Sequence, residues 1–304
     1  MKKVLVYGIG GIGGYIGAKL GAVAASEKLE LSFIARGAHL EAIKTKGLRY
    51  RAPDGKESTV QPSYALSAPN GKADYIFLCV KGYDLEAACK ALLPAVQADT
   101  LIVPLLNGAD IHERVRSVIK DGIVLPAGIY ISSSIAESGL VVHSGGKGNL
   151  FLGKEKGKNF DQKPLLALLD AAAIPYEWLD DPLPAVWTKY LFIASYGLVT
   201  GMSGKSIGGV IADGELAALA QGIQKEIAAI AVALKINIPS DAANAAFEKG
   251  KIFPPETKTS YQRDLEIKGK ANEGELFGGT ILSLGKKLGI PTPVTEKVYK
   301  AIGR

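Results

Sequence analysis

The run Val4-Leu-Val-Tyr-Gly8-Ile-Gly10-Gly-Ile-Gly13 constrains this chain more than any other feature. It reads as a buried strand that breaks at glycine and continues as a helix. Gly8 permits the tight turn, Gly10 lets the backbone approach a pyrophosphate, and Gly13 lets the helix lie close to the sheet. The pyrophosphate would rest on the helix N-terminus, where unpaired N–H groups and the helix dipole attract anions. Gly8, Ile9, Gly10, Gly11, Ile12 and Gly13 are therefore the expected dinucleotide-binding backbone. Two blander readings compete. Glycine makes up 36 of 304 residues, so the run is also explicable as a structural turn. Lys2-Lys3, an apolar stretch and Ala22-Val-Ala-Ala-Ser26 also have the order of a secretory signal peptide. Six glycines between Gly8 and Gly17 weaken a signal helix. Removing that segment would delete the first strand of an otherwise regular α/β pattern.

The next apolar run, 30–35, ends at Arg36-Gly37-Ala38-His39. Sites that select NAD usually carry Asp or Glu at the end of this strand, bonded to the ribose hydroxyls. Glu30 lies at the strand's start, too early for that role. Arg36 occupies the neighbourhood instead, and a guanidinium suits a dianionic 2′-phosphate through charge and paired N–H donors. The position favours NADP(H); the alternative is a solvated surface arginine.

Up to about residue 180, apolar strands alternate with helices. Strands are expected over 3–7, 30–35, 75–80, 101–105, 123–130, 140–144 and 149–152, and helices over 11–25, 38–46, 84–94 and 110–119. This alternation predicts a largely parallel sheet covered on both faces. The stretch 128–153, broken by Ser-Gly and Gly-Gly turns, reads as an antiparallel extension of that sheet. After Asp180-Asp181-Pro182-Leu-Pro184 the texture changes to helices over 185–200, 213–235, 239–249, 257–267 and 272–288. Ala217, Ala220, Ile223, Ile227, Ile230 and Ala231 recur at three- and four-residue steps. The expected organisation is a dinucleotide-binding domain over 1–181 and a helical substrate domain over 182–304. Clefts between such halves are natural substrate sites.

Composition limits the partners. Hydrophobic residues at 47% and charged residues at 22% are ordinary for a soluble globular protein, so the cytoplasm is the default compartment. Apart from the glycine-broken N-terminus, no uninterrupted apolar run of transmembrane length is evident, and no membrane partner is expected. Cys79 and Cys89 alone suggest neither a disulfide framework nor a zinc site, and His39, His112 and His143 lack metal-ligand spacing. A net charge of +6, spread along the chain, fits anionic small molecules; no nucleic-acid motif accompanies it. Gly153-Lys-Glu-Lys-Gly-Lys158 reads as a solvated turn. An apolar face on the helical half serves either the core or a homodimer.

Four side chains could carry chemistry. Lys81 and Asn107 follow the apolar runs 75–80 and 101–106, at the strand ends where open α/β sheets bind ligands. Lys81 would meet a phosphate or a substrate carboxylate, and Asn107 the nicotinamide or the substrate carbonyl; the alternative for each is a surface loop. Lys189 lies among strongly apolar neighbours near the start of the first helix of the second half. Such a lysine either snorkels to solvent or faces a cleft, where desolvation lowers its pKa and suits it to act as an acid. Asn272 would cap a new helix with Glu273 in its first turn; on position alone Glu273 reads as an exposed acid favoured by the helix dipole.

Taken in order, Gly8-x-Gly10-x-x-Gly13, Ile34-Ala-Arg-Gly-Ala-His-Leu40, Val80-Lys81, Leu106-Asn-Gly108, Val142-His-Ser-Gly145, Trp187-Thr-Lys189, Ser260 and Gly269-Lys-Ala-Asn-Glu273 resemble the ketopantoate reductase (2-dehydropantoate 2-reductase) family over almost the whole chain. The resemblance implies an α/β Rossmann-type domain followed by an all-helical C-terminal domain of the 6-phosphogluconate-dehydrogenase kind. It implies NADPH-dependent reduction of 2-dehydropantoate to pantoate in pantothenate synthesis. By resemblance Lys189 is the acid that protonates the forming alkoxide, Glu273 binds the substrate hydroxyl, Ser260 holds the carboxylate, and Lys81 and Asn107 line the cofactor side. Three positions depart from the family pattern. Ile193 and Gly197 stand where asparagines are common, four and eight residues after the lysine, and Gly278 stands for a further asparagine. The departures leave two other functions open: a related NADPH-dependent reductase of a different 2-keto acid, and a non-catalytic NADP(H)-binding regulator.

Overall fold

The computed structural model describes residues 1–267, 269 and 271–303. The chain separates into two compact units. The first comprises Met1–Leu106 and Ile111–Pro182; the second comprises Asn107–Asp110 and the chain from Leu183 onward.

The first unit opens with β1 (Lys2–Tyr7), α1 (Gly11–Ala22), β2 (Leu29–Ile34) and α2 (Gly37–Lys46). Three short strands follow, β3 (Leu48–Arg51), β4 (Glu57–Val60) and β5 (Tyr64–Leu66). Then come β6 (Tyr75–Leu78), α3 (Leu85–Leu92), β7 (Leu101–Pro104), α4 (Ile111–Val118) and β8 (Ile123–Val124). The unit closes with β9 (Ala127–Glu137), β10 (Leu140–Gly153), α5 (Lys163–Ala171) and β11 (Tyr176–Leu179). Six strands form a wholly parallel sheet in the order β5-β2-β1-β6-β7-β8. Every residue of β6 and β7 is buried, as the unbroken apolar runs predict for strands covered on both faces. This is the doubly wound order, and its direction reverses between β1 and β6.

The antiparallel extension expected over 128–153 is corrected. β9 and β10 do pair antiparallel, but they belong to a second sheet, ordered β11-β10-β3-β4. β10 runs through both segments expected as separate strands, with register shifts at the glycine-rich stretch. β3, β4, β5, β11 and α5 carry patterns too short or too polar to stand out in the sequence.

α1 explains the separation of the sheets. It packs against β1, β2 and β6 of the first sheet and against β3, β4, β9 and β10 of the second. A helix covered on two sides needs short side chains on both. A Cβ at Gly13 would overlap the Gly8 carbonyl oxygen, and one at Gly14 would overlap the side chain of Val141 on β10. The glycines that argue against a signal helix therefore admit a sheet on each side of α1, which outweighs their cost of about 1 kcal/mol each in helix propensity.

The second unit is helical: α6 (Leu183–Ser203), α7 (Ile207–Ala212), α8 (Gly214–Ala233), α9 (Ala242–Gly250), α10 (Ser260–Leu265), a π-helical turn Glu275–Gly279, α11 (Thr280–Leu288) and α12 (Pro293–Ile302). α7 and α12 are additions to the sequence reading. α6 runs unbroken through Gly197, and α7, α8, α9, α10 and α12 pack around it. α8 alone among the described residues is long and apolar enough to cross a membrane, a point the sequence reading overlooked. Its Ile223, Gln224, Glu226, Ile227 and Ile230 are buried inside the unit. The carboxylate of Glu226 accepts the N–H groups of Val294 and Thr295 at 2.7 and 2.9 Å and so caps α12.

The solvated turn expected at 153–158 is also corrected at one position. Glu155 is buried because its carboxylate is fully engaged by Arg116, His112 and the Val124 N–H. Buried charges persist when paired and hydrogen-bonded in this way.

Candidate active site

The residues following β1 and β6 line one groove in the first unit, of about 310 Å³, with Arg36, Lys81 and Asp84 among its polar lining. Gly8 makes the turn at φ +95°, where a Cβ would press on the Cys79 carbonyl at 3.0 Å. Gly10 precedes the first turn of α1, and a Cβ there would meet nothing within 4 Å. Backbone open on that side, with the first-turn N–H groups of Gly11, Ile12 and Gly13 behind it, fits a dinucleotide pyrophosphate. His39 accepts the Gly139 N–H at Nδ1, 2.9 Å away, and burial pushes its pKa down, against a smaller opposing effect of the Ile9 backbone.

Arg36 lies at the end of β2, as the sequence predicts, but it has a partner that the sequence did not reveal. Its guanidinium grips Asp84 side by side, Nη2 to Oδ2 at 2.5 Å and Nη1 to Oδ1 at 3.4 Å. Asp84 belongs to the short 3-10 turn Gly82–Asp84 that follows Lys81. A pairing across 48 residues leaves no local pattern to read.

In the second unit, Lys189 is buried at 5% exposure, so the snorkelling alternative fails. Its Nζ donates to Asn107 Oδ1 at 2.8 Å. Burial lowers its pKa from 10.5 to about 8; the Glu273 carboxylate opposes that shift and the Lys249 ammonium adds to it. Glu273 is 4% exposed, not the surface acid that its position at a helix start suggested. Asn272 Oδ1 accepts the Gly274 N–H at 3.0 Å, and the chain enters the π-helical turn. The Tyr190 hydroxyl reaches the carbonyls of Leu276 and Phe277 at 2.8 and 2.7 Å, tying that turn to α6 one residue after Lys189. Lys249 on α9 is half-buried with its Nζ 5.5 Å from the Phe192 ring centre, and burial lowers its pKa too.

The structure thus brings Lys189, Asn107 and Glu273 together, while the first unit gathers Gly8–Gly13, Arg36 and Lys81. Ser260 is exposed at the first residue of α10, and Thr259 before it caps that helix through Gln262 N. Thr200, eleven residues after Lys189, shares a 2.8 Å hydrogen bond with Thr259. Lys270 of the Gly269–Glu273 run lies outside the described residues. The three departures have different causes. A Cβ at Gly278 would lie 2.5 Å from the Tyr299 ring, so Tyr299 fills the space an asparagine would need. At Gly197 a Cβ would sit in ordinary contact with Phe277, 3.4 Å away. Ile193 is partly buried one helical turn from Lys189 and supplies an apolar surface.

Comparison with known proteins agrees with this architecture. The family model described as ketopantoate reductase PanE/ApbA matches residues 4–157, and the model for its C-terminal domain matches 181–304. A 2-dehydropantoate 2-reductase of Mesorhizobium japonicum is 29% identical, across 99% of this chain and 97% of that protein. A PanE/ApbA family ketopantoate reductase from Ralstonia eutropha superposes with a TM-score of 0.88 at 28% identity, covering 99% of this chain and 97% of that one. A 2-dehydropantoate 2-reductase from Porphyromonas gingivalis superposes at 0.85 with 29% identity, covering 100% and 99%. With both domain models matched in order and the dinucleotide turn and buried lysine in place, the chain belongs to the PanE/ApbA ketopantoate reductase family.

Proposed function

We propose that this protein reduces ketopantoate to pantoate with NADPH, as a step of pantothenate synthesis. The observation that carries the reading is the buried Lys189, held by Asn107 at 2.8 Å with a pKa of about 8. At pH 7 such a group is roughly 90% protonated yet gives up its proton far more readily than an ordinary lysine. Gly8–Gly13 would hold the pyrophosphate, Arg36 the 2′-phosphate, and Lys81 a neighbouring phosphate. A nicotinamide held there would supply the hydride.

The remaining work falls to the chain's own side chains. The Lys189 ammonium stabilises negative charge developing on the carbonyl oxygen and then transfers its proton to that oxygen. Asn107 accepts one N–H of the ammonium and so fixes where the others point. Glu273 favours the charged lysine before transfer and offers a carboxylate to a substrate hydroxyl. Lys249 places a second positive charge near the first, an arrangement that favours a substrate carboxylate over a neutral carbonyl compound.

A second reading, reduction of a 2-keto acid with a less polar side chain, is favoured by Ile193 one turn from Lys189 and by the Tyr299 ring occupying the space beside Gly278. Turnover is read as loss of NADPH absorbance with ketopantoate and a panel of apolar 2-keto acids. Rapid ketopantoate turnover, abolished by Lys189→Ala, is expected. Faster turnover of an apolar 2-keto acid would favour the second reading, and NADPH binding with no turnover of any of them would overturn both.

A further inference from the structure

The Arg36–Asp84 pair occupies the part of the groove where nucleotide preference is decided. Asp84 ends the helical turn that runs from Gly82 directly into α3, and its carboxylate makes no cap bond to that helix. It reaches Arg36 instead, through two contacts of 2.5 and 3.4 Å. Its side chain is 27% exposed while that of Arg36 is 76% exposed, so the carboxylate is the seated partner and the guanidinium the movable one.

Two anions then compete for one guanidinium. A 2′-phosphate carries close to two negative charges at neutral pH. It must either displace Asp84 from Arg36 or share the guanidinium and sit near a like charge. An unphosphorylated ribose meets no such conflict, because a carboxylate accepts hydroxyl hydrogens. The usual acid at the end of the second strand is replaced here by Arg36, while an acid arrives from the turn after β6. Both determinants therefore stand in one groove.

We propose that Asp84 is a specificity-determining residue that weakens selection for the 2′-phosphate by holding Arg36, so that the groove accepts NADH as well as NADPH. The inference rests on the dinucleotide reading of the groove, but not on which keto acid is reduced.

The test is calorimetric binding of NADPH and NADH, separately and without substrate, to the full chain and to Asp84→Asn, Arg36→Ala and the double variant. An exposed pair of this kind is worth up to about fivefold in an equilibrium constant, and the like-charge conflict adds to it. Asp84→Asn is therefore expected to tighten NADPH by about three- to tenfold and to leave NADH unchanged or weaker. Most of that gain should vanish in the Arg36→Ala background, and it should shrink at high ionic strength. An unchanged ratio of NADPH to NADH affinity in Asp84→Asn would overturn the proposal. So would a gain that survives intact without Arg36. Wild-type protein that binds neither nucleotide would overturn the dinucleotide reading with it, whereas binding without keto-acid turnover would count against the proposed reaction alone.

Discussion

Lys189 titrates where few lysines do, and this gives the mechanism a sharp test. Its pKa of about 8 stands against an ordinary 10.5, a difference of about 3 kcal/mol between the charged and neutral forms. If the ammonium is the proton donor, kcat/KM for keto-acid reduction is level at neutral pH and falls about tenfold per pH unit above 8. At pH 9.5 roughly 3% of the lysine would remain protonated, against about 90% for an unperturbed one. The opposite reaction, oxidation of the hydroxy acid, needs the neutral amine and should rise through the same pH. Lys189→Arg keeps the charge but holds its proton beyond pH 12, so its residual rate should show no fall near pH 8. The same titration appears in stability. Because the folded-state pKa is the lower one, the unfolded chain holds the extra proton between pH 8 and 10.5, and stability rises with pH there. Wild type should gain about 3 kcal/mol on Lys189→Met between pH 7.5 and 10.5, measured by urea unfolding, since the other titrating groups are common to both proteins. An alkaline limb near 10.5, or a stability difference that stays flat across this range, would refute the argument that burial tunes this lysine.

The neighbours of Lys189 should move that limb in opposite directions. Glu273→Gln removes a charge that raises the lysine pKa and should shift the fall to lower pH, whereas Lys249→Met removes one that lowers it and should shift the fall upward; pH–rate profiles of both variants decide. Gly14→Ala places a methyl only 2.4 Å from the nearest carbon of the Val141 side chain and should cost about 1–3 kcal/mol in chemical unfolding, with much of that recovered in the double variant Gly14→Ala, Val141→Ala. Glu155 is penalised by burial, but its bonds to Arg116, Val124 and His112 outweigh that and hold its pKa below the ordinary value. It stabilises the first unit above about pH 4.5 and ceases to do so as pH falls through its folded value. Glu155→Gln, which strands the Arg116 charge, should lose about 3 kcal/mol near neutral pH and show a weaker acid dependence in urea unfolding.

Much of the framework is local information and was legible as such. The turn at Gly8 needs a positive φ, α1 needs Gly13 against the Gly8 carbonyl, and the apolar runs 75–80 and 101–105 need two covered faces; each demand leaves its mark within a few adjacent residues. Arg36 was legible for the same reason, being tied to the end of a strand at a set distance from the glycine turn. What the sequence left open depends on partners far along the chain. The second sheet joins β9 and β10 to β3, β4 and β11, which are four residues each, too short for any of those three segments to carry a strong period. On pattern alone Glu273 read as a surface acid and Lys189 stayed open between snorkelling and facing a cleft; packing excluded water from both and set Asn107, 82 residues away in sequence, against the lysine. Asp84 gave no sign at all that it would hold Arg36. Backbone conformation and apolar coverage are constraints on neighbouring residues, so they are written in the order of the chain. Desolvation and the pairing of charges are properties of three-dimensional surroundings, and only the tertiary structure decides them.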